Sequence, residues 1–251
     1  MLHVDDFFIP TNAIENIPEE EYEKITPLVS TLDSLTRVLY QSIYVIDYYK
    51  KNFLYVSDNP LFLCGLQPHE VKKKGYSFYF EYVPEEEVRM LLEINHAGFD
   101  LFQKTPVDNR IQLSISYDFH ICDAKQKILI NHKLTPILLA TNGNIWLAAC
   151  VVSLSSQKEA GNIEARIAGQ LDYWSYSMER RQWERKNNVT LSQRDKNILS
   201  LSARGFTMDE IAEKLLFSVS TIKSDKQKLF EKLGVTNISE ALSIASTNKM
   251  I

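Results

Sequence analysis

The C-terminal segment, residues 191–251, carries a dense series of signals for where helices begin and end. Ser, Thr and Asn side chains accept hydrogen bonds from backbone N–H groups that a helix start leaves unpaired, and glycine ends helices in the left-handed conformation. The candidate caps and stops are Ser192, Gly205, Thr207, Ser218, Gly234 and Asn237. The segment therefore predicts four short helices joined by tight turns, which pack as a small all-α domain.

The third of these helices, from Ser218 to Gly234, has one apolar and one polar face. Ile222, Leu229 and Leu233 recur at helical spacing and predict the buried stripe. The opposite face carries small hydroxyl groups, lysines and one amide, at Ser220, Thr221, Lys223, Ser224, Gln227 and Lys228. Lysines neutralise phosphates, while short polar side chains and Gln reach base edges, so this face suits the major groove of DNA.

These residues together resemble the LuxR-type (also called GerE-type) helix-turn-helix of bacterial transcription regulators. The matching pattern reads LSxRDxxILxLxAxGxTxxEIAEKLxxSxxTIKxxxxKLxEKLGV, and the resemblance continues without an insertion from Leu191 to about Ala245. In this family the third helix enters the major groove and the fourth commonly forms the dimer contact. The resemblance therefore implies double-stranded DNA as a partner and a homodimer as the working form.

Family positions imply two groups of DNA contacts in this chain. The side chains that would face bases or flanking phosphates are Lys223, Ser224 and Gln227. The side chains that would contact the DNA backbone are Thr207, Ser218, Thr221 and Lys228. These assignments are carried over by position from the family pattern.

Asp225 departs from the family pattern, which usually has His or Tyr at this position. A carboxylate there repels phosphate. The sequence leaves several alternatives: Asp225 points away from DNA, pairs with Lys228 or Arg194, or accepts a hydrogen bond from a cytosine amino group. Lys228 stands three residues further along the same helix, so we expect the Lys228 pair.

The segment before the helical domain changes to the alternating pattern of strands. The predicted order is two strands (42–47 and 53–56), short helices (59–64, 68–73 and 84–95) and three strands (112–120, 127–139 and 144–154). This order, and the stretch FLYVSDNPLFLCGLQPHEV, resemble a PAS domain over about residues 40–155; another α+β sensor, such as a GAF-like domain, is the alternative. The expected fold class is α+β: a PAS-like antiparallel sheet with flanking helices, then an all-α four-helix domain.

Two further segments flank the PAS-like region. Residues 1–39 predict an irregular arm followed by a helix, and residues 156–190 predict a linker before the domain at 191–251. In the linker we expect a helix up to about Gln170 and then a hairpin. The rival interpretation is one long helix, with a heptad stripe at Ile163, Ile167, Leu171, Trp174 and Met178.

The PAS-like segment is rich in aromatic residues, which form either an ordinary core or a pocket for a flat or apolar ligand. The candidate pocket residues are Tyr44, Tyr55, Tyr79, His120 and His132. His120 and His132 lie on neighbouring predicted strands and could converge with Cys122. A small-molecule ligand in this region is therefore a candidate partner, whereas the sequence identifies neither a cofactor nor a metal site.

Charge and composition narrow the function classes. The whole chain has a formal net charge of −4, but residues 191–251 carry +2 and residues 1–190 carry −6. The sequence shows no signal peptide or membrane segment and no CxxC motif, which predicts a cytoplasmic protein with no membrane partner. No nucleophile elbow, P-loop or GxGxxG motif is present, so we do not expect an enzyme.

The sequence therefore predicts a bacterial DNA-binding transcription regulator that responds to a signal through its PAS-like domain. The alternative is an interaction adaptor whose PAS-like domain recruits a partner and whose helical domain binds DNA weakly. The Asp225 carboxylate and the low net charge favour that alternative.

Overall fold

The computed structural model describes residues 2–123, 126–170, 172–187, 189–247 and 250. Contacts along the chain divide it into two compact units, residues 1–186 (called the sensor unit after the role that the sequence predicts for it) and residues 187–251 (the helical unit). Within the described residues, no helix combines the length and the apolar character that a membrane span requires.

The sensor unit begins with an arm containing two 3-10 turns, Val4–Phe7 and Pro10–Asn12, which the 18-residue helix α1 (Glu19–Thr36) follows. Its further helices are α2 (Pro60–Leu63), α3 (Pro68–Lys74), α4 (Ser77–Tyr82), α5 (Glu85–Lys104) and α6 (Val107–Arg110). Its strands are β1 (Ser42–Asp47), β2 (Asn52–Val56), β3 (Leu113–Cys122), β4 (Lys127–Leu139), β5 (Ile145–Leu154), β6 (Gly161–Ile167), β7 (Asp172–Ser177) and β8 (Gln182–Asn187). The predicted order of two strands, several helices and three strands is confirmed.

Within the described residues, the eight strands form one sheet in the order β2-β1-β5-β4-β3-β6-β7-β8. The registers are antiparallel: Tyr44 lies opposite Cys150, and Tyr117 opposite His132. The mixed α+β class is thus confirmed, and β1 to β5 follow the element order that the PAS resemblance implies.

The sheet has an apolar core on each face. Between the sheet and α2 to α5, the largest fully buried side chains are Tyr44, Phe62, Phe78, Phe102, Phe119 and Ile130. On the other face α1 packs through Tyr22, whose hydroxyl donates to Asp47 Oδ2 at 2.6 Å and whose ring meets Trp146 edge-on. Buried tyrosines usually find such a partner for the hydroxyl.

Helix α5 is longer than the sequence suggested. The prediction ended this helix at residue 95, whereas α5 continues to Lys104. Apolar residues go on recurring at helical spacing, with Ile94, Phe99 and Phe102 all buried. The helix ends just before Pro106, which disfavours the helical conformation in the residue that precedes it.

The predicted helix before the hairpin is wrong. Residues Gly161–Ile167 form strand β6, which pairs antiparallel with β3. Ile163, Ala165 and Ile167 are buried in alternation, so the period is two and not that of a helix. Ile163 and Ile167 are also four residues apart, which made both interpretations possible. The predicted hairpin does form, as β7 and β8; Leu171, part of the long-helix alternative, lies outside the described residues.

The helical unit consists of α7 (Gln193–Ala203), α8 (Met208–Leu215), α9 (Val219–Leu233) and α10 (Ile238–Thr247). Each predicted cap accepts a hydrogen bond from the backbone N–H three residues on. The caps are Ser192 at 3.1 Å, Thr207 at 3.4 Å, Ser218 at 3.1 Å and Asn237 at 2.9 Å. Gly205 and Gly234 have φ angles of 82° and 67°, the left-handed conformation that ends a helix.

Candidate nucleic-acid interface and sensor cleft

Helix α9 presents the polar face that the sequence predicted. Ile222 and Leu229 are fully buried in the core of the helical unit, which fixes the rotation of the helix. Of the predicted DNA contacts, Thr207, Ser218, Lys223, Ser224, Gln227 and Lys228 are exposed and Thr221 is half-buried. The structure thus brings the residues on α9 to one accessible surface, while their roles toward DNA stay predictions.

Several of these side chains already have hydrogen-bond partners. The Ser218 hydroxyl lies 2.8 Å from the hydroxyls of both Ser220 and Thr221, at the first turn of α9. Gln227 Nε2 donates to Glu231 Oε1 at 3.0 Å. The amide of Gln227 must leave this partner, or share it, in order to reach a base edge.

Asp225 pairs with Arg194, not with Lys228 as we expected. Arg194 Nη1 lies 3.1 Å from Asp225 Oδ2, and the Asp225 side chain is 19% exposed. The guanidinium of Arg194 also lies 4.0 Å above the centre of the Phe217 ring, a cation–π distance. Asp225 therefore turns away from Lys228 towards the start of α7, and its charge is neutralised within the helical unit.

The lysines of α9 have different surroundings. Lys226 is half-buried, and its ammonium approaches Met208 Sδ at 3.8 Å; Lys232 pairs with Asp195 at 3.2 Å. Among the described residues, Lys223 and Lys228 form no ion pair, and both are exposed. These two lysines are the charges on α9 that are free to meet phosphates.

The sensor unit encloses a buried polar chain of three predicted pocket residues. The Tyr44 hydroxyl bonds the Tyr79 hydroxyl and lies 2.6 Å from His132 Nε2. Burial lowers the pKa of His132 to about 3, so the ring is neutral. Within the described part of the chain, His132 Nδ1 is buried without a hydrogen-bond partner.

The two other pocket candidates lie elsewhere. Tyr55 is opposite Val45 in the ladder, on the sheet face that α1 covers, and its hydroxyl lies 3.1 Å from Thr36 Oγ1. His120 binds Glu87 of α5 twice, through Nδ1 at 2.7 Å and through its backbone N–H at 2.6 Å. The expected convergence of His120, Cys122 and His132 is therefore wrong. In the residues described, no group of three or more His, Cys, Asp or Glu side chains could hold a metal ion.

A narrow apolar cleft lies instead between α5 and the sheet, and its cavity volume is about 40 Å³. Its lining residues are Tyr48, Ile94, Asn95, Gly98, Phe99, Phe102, Leu113, Ile115, Tyr117, Leu134, Pro136 and Ile145. None of the five predicted pocket residues lines it. Tyr117 connects the two regions, because its ring also lies 4.7 Å from that of His132.

One sequence signal could have located this cleft, namely a glycine inside a long amphipathic helix. A Cβ atom on Gly98 would stand 2.7 Å from Ile115 Cδ1, so the absent side chain permits the close approach of α5 to β3. A helix-interior glycine lowers helix stability, which indicates a packing reason for its presence.

The N-terminal arm covers a second hollow beside the cleft, and Tyr48 and Phe99 line both. Side-chain amides hold the arm in place. Asn12 bonds both the backbone N–H and the carbonyl of Ile145, and Asn95 Nδ2 donates to the Phe7 carbonyl at 2.7 Å. The arm thus forms part of the packing around the cleft.

Comparison with known families identifies the helical unit. The family model "Bacterial regulatory proteins, luxR family" matches residues 189–245. Residues 189–245 are a LuxR-family helix-turn-helix domain. The match covers α7, α8, α9 and most of α10, so the predicted resemblance is confirmed for this LuxR-family domain.

Relatives match over the same part of the chain. The Fimbriae Z protein of Salmonella typhimurium is 35% identical over 65 residues, which are 26% of this chain and 31% of that protein. The oxygen regulatory protein NreC of Staphylococcus aureus is 39% identical over 61 residues, 24% of this chain and 28% of that protein. The chain therefore spans less than a third of the length of either relative.

Among solved structures, the Vibrio cholera VqmA–ligand–DNA complex is 15% identical to this chain. The match covers 94% of this chain and 90% of that chain, with a TM-score of 0.34. A TM-score of this size does not establish a shared fold.

Proposed function

We propose that the protein is a DNA-binding transcription regulator that places α9 in the major groove. The observation that carries the proposal is the face of α9 with Lys223, Ser224, Gln227 and Lys228 exposed. This face lies opposite the buried stripe of the LuxR-family domain. Unpaired lysines beside short polar groups suit phosphate and base contacts together.

The proposed contacts divide by chemistry. Lys223, Ser224 and Gln227 reach base edges or flanking phosphates from the middle of α9. Thr207, Ser218, Thr221 and Lys228 contact the DNA backbone, and the N-terminus of α9 adds backbone N–H groups that attract phosphate. The ion pair between Asp225 and Arg194 supports this arrangement, because it offsets the negative charge of Asp225 in the middle of α9.

The proposed working form is a homodimer. Residues 191–251 carry a net charge of only +2, so one copy binds DNA weakly at physiological salt. Two copies on two half-sites raise the effective concentration of the second contact. Helix α10 is the proposed dimer contact between the LuxR-family domains of the two copies, as the family resemblance implies.

The proposed signal is a small molecule that enters the cleft between α5 and the sheet. Apolar side chains form most of the lining, and Asn95, Tyr48 and Tyr117 supply a few polar groups. Ligand sites in proteins combine the same kinds of groups but have volumes of about 300–1,000 Å³, so α5 must move away from the sheet when a ligand enters. The rival function, an adaptor with weak DNA binding, drew support from Asp225 and from the low net charge. The Arg194 pair removes the first support, whereas the low net charge still favours the rival.

Selection of duplexes from a random pool tests the proposal. The full-length protein should enrich a motif with two inverted half-sites, and its affinity should fall steeply as salt rises. The Lys223→Ala, Lys228→Ala double variant should lose enrichment. The Lys72→Ala, Lys73→Ala variant is the matched control, because it removes two lysines of the sensor unit and should keep enrichment. Failure of the full-length protein to enrich any motif would refute DNA recognition.

A further inference from the structure

Two adjacent faces of helix α5 contact different parts of the sensor unit. Ile94 and Gly98 line the cleft. Glu93 and Ala97, the residues immediately before them, face the hairpin β7–β8. Because residues four apart stand one above the other on a helix, each pair forms a continuous strip along the same two turns. A shift of α5 at the cleft therefore moves the surface on which the hairpin rests.

Side chains of the hairpin bind Glu93 and Ala97 of α5 through hydrogen bonds and an ion pair. Trp183 Nε1 donates to the Ala97 carbonyl at 3.0 Å, and the Tyr176 hydroxyl donates to Glu93 Oε1 at 3.2 Å. Arg181 Nε lies 3.6 Å from Glu93 Oε2 at the hairpin turn. A carbonyl oxygen has two lone pairs, so the Ala97 carbonyl can accept the Trp183 N–H and still accept its hydrogen bond within the helix.

The side chains of Tyr176 and Trp183 also contact each other. The rings of Tyr176 on β7 and Trp183 on β8 lie 5.0 Å apart across the hairpin, a distance at which aromatic pairs attract. Both rings pack against the core of the sensor unit. The pair thus joins the two strands to each other and to α5, so that the hairpin and helix form one packed body.

The hairpin is also the last element before the LuxR-family domain. Strand β8 ends at Asn187, and the LuxR-family match begins at residue 189. A change in the position or stability of β8 therefore acts directly on the chain that enters the DNA-binding domain.

We propose that Trp183 and Tyr176 are positioning residues that couple the cleft to DNA binding. Occupation of the cleft displaces α5, and the Ala97 and Glu93 contacts carry that displacement into the hairpin β7–β8. Packed interiors transmit small shifts because they have little free volume. The DNA readout of this inference rests on the proposed function, whereas the coupling between cleft and hairpin does not.

A substitution inside the cleft tests the coupling without a ligand. Gly98→Ala adds a methyl group at 2.7 Å from Ile115 Cδ1, so α5 or that side chain must shift. His96→Ala is the matched control, because residue 96 is exposed on the same helix and gains helix propensity without entering the cleft. Hydrogen exchange of the amides in 172–187 should change in Gly98→Ala and stay as in the unmodified protein in His96→Ala. Exchange that changes in the α5 amides of Gly98→Ala but stays unchanged in 172–187 overturns the proposal.

A double-variant cycle on the full-length protein tests the role of Trp183. Allosteric couplings typically change affinity about 5- to 150-fold, so Gly98→Ala should alter affinity for a selected duplex by at least about 5-fold. Trp183→Phe keeps a ring but removes the N–H donor. In that background the effect of Gly98→Ala on affinity should shrink, because of these polar contacts between the hairpin and α5 only those to Glu93 remain. Trp174→Phe, a tryptophan change on neighbouring β7, should leave the effect intact.

The outcomes separate this inference from the proposed function. If Gly98→Ala and Trp183→Phe act independently on affinity, Trp183 does not couple the sites and the proposal is wrong. If no variant or parent binds any duplex, the proposed function fails, and hydrogen exchange in the hairpin still decides the coupling. A thermal melt of Trp183→Phe that retains the unfolding transition of the sensor unit shows that the variant is folded.

Discussion

The two units of this protein build their candidate sites in opposite ways. In the LuxR-family domain, one helix carries most of the candidate DNA contacts, and local caps and two buried residues fix its rotation. In the sensor unit, the cleft takes residues from α5, β3, β4 and β5, which are far apart in the chain. The comparison teaches that a site on one helix follows from local sequence, whereas a site between elements follows from their packing.

The units also differ in how they are stabilised. The sensor unit has a large aromatic core on one face of its sheet and a second core on the other. The helical unit has a small core, so each buried leucine and each helix cap carries a larger share of its stability. A substitution should therefore change the unfolding free energy of one unit at a time, and the following predictions test this separation.

The largest effect is expected for Leu229→Ala, which truncates a fully buried side chain of α9. Such a truncation costs about 2–5 kcal/mol of unfolding free energy, a large fraction of the stability of a small domain. The melting transition of the helical unit should fall or vanish, while that of the sensor unit stays in place. Calorimetry of the full-length protein measures both.

Leu216→Ala is the matched control for this prediction. Leu216 is 91% exposed, so the same chemical change should alter stability by less than about 0.5 kcal/mol. If Leu229→Ala lowers both transitions equally, the two units do not unfold separately and the comparison between them is broken.

The next largest effects concern DNA binding by α9. Gln227→Ala should cost about 1–3 kcal/mol on the preferred duplex and relax specificity at one base pair. Lys223→Ala, if it removes a phosphate contact, should weaken binding to all duplexes. It should also reduce the slope of log affinity against log salt concentration by about 0.9. Binding titrations on selected and random duplexes at several salt concentrations distinguish the two.

Lys72→Ala, on α3 of the sensor unit, controls for the loss of one positive charge and should leave the slope unchanged. If neither α9 substitution changes binding, the placement of this helix in the groove is wrong.

A smaller effect is expected from the cap of α9. Ser218→Ala removes the hydroxyl that accepts from the Thr221 N–H and should cost about 1 kcal/mol in the helical unit alone. Ser224→Ala, in the exposed middle of the same helix, should be neutral or slightly stabilising because Ala favours helices. Chemical denaturation of the two variants gives the difference. Equal stabilities would show that local caps do not sustain this unit.

The smallest effect is expected for Asp225→Asn. The ion pair of Asp225 with Arg194 is partly exposed, so it contributes no more than about 1 kcal/mol to stability. Loss of the carboxylate frees the Arg194 guanidinium to meet phosphate, so affinity should rise alike for selected and random duplexes. Asp209→Asn, an exposed acid on α8, is the control for charge alone. A selective loss on the preferred duplex would instead show that Asp225 reads a base.

The sequence predicted the order of β1 to β5 and of the four helices in the helical unit, but other features depended on distant residues. The stripe of Ile163 and Ile167 fits both a helix and a strand, and only pairing with β3 selects the strand. Helix α5 extends beyond the predicted end because its later apolar residues pack on the sheet. Tyr55 and His120 were assigned to a pocket by composition, and their registers place them elsewhere.

The sequence by itself determined the LuxR-family domain: its four helices, its caps and the polar face of α9. These features follow from interactions between residues three or four apart, which operate before any tertiary contact forms. Only the tertiary structure decided the Arg194–Asp225 pair, the strand β6, the cleft beside Gly98 and the bond from Trp183 to Ala97. Each of these joins residues separated by many positions, and their meeting depends on how helices pack and strands pair.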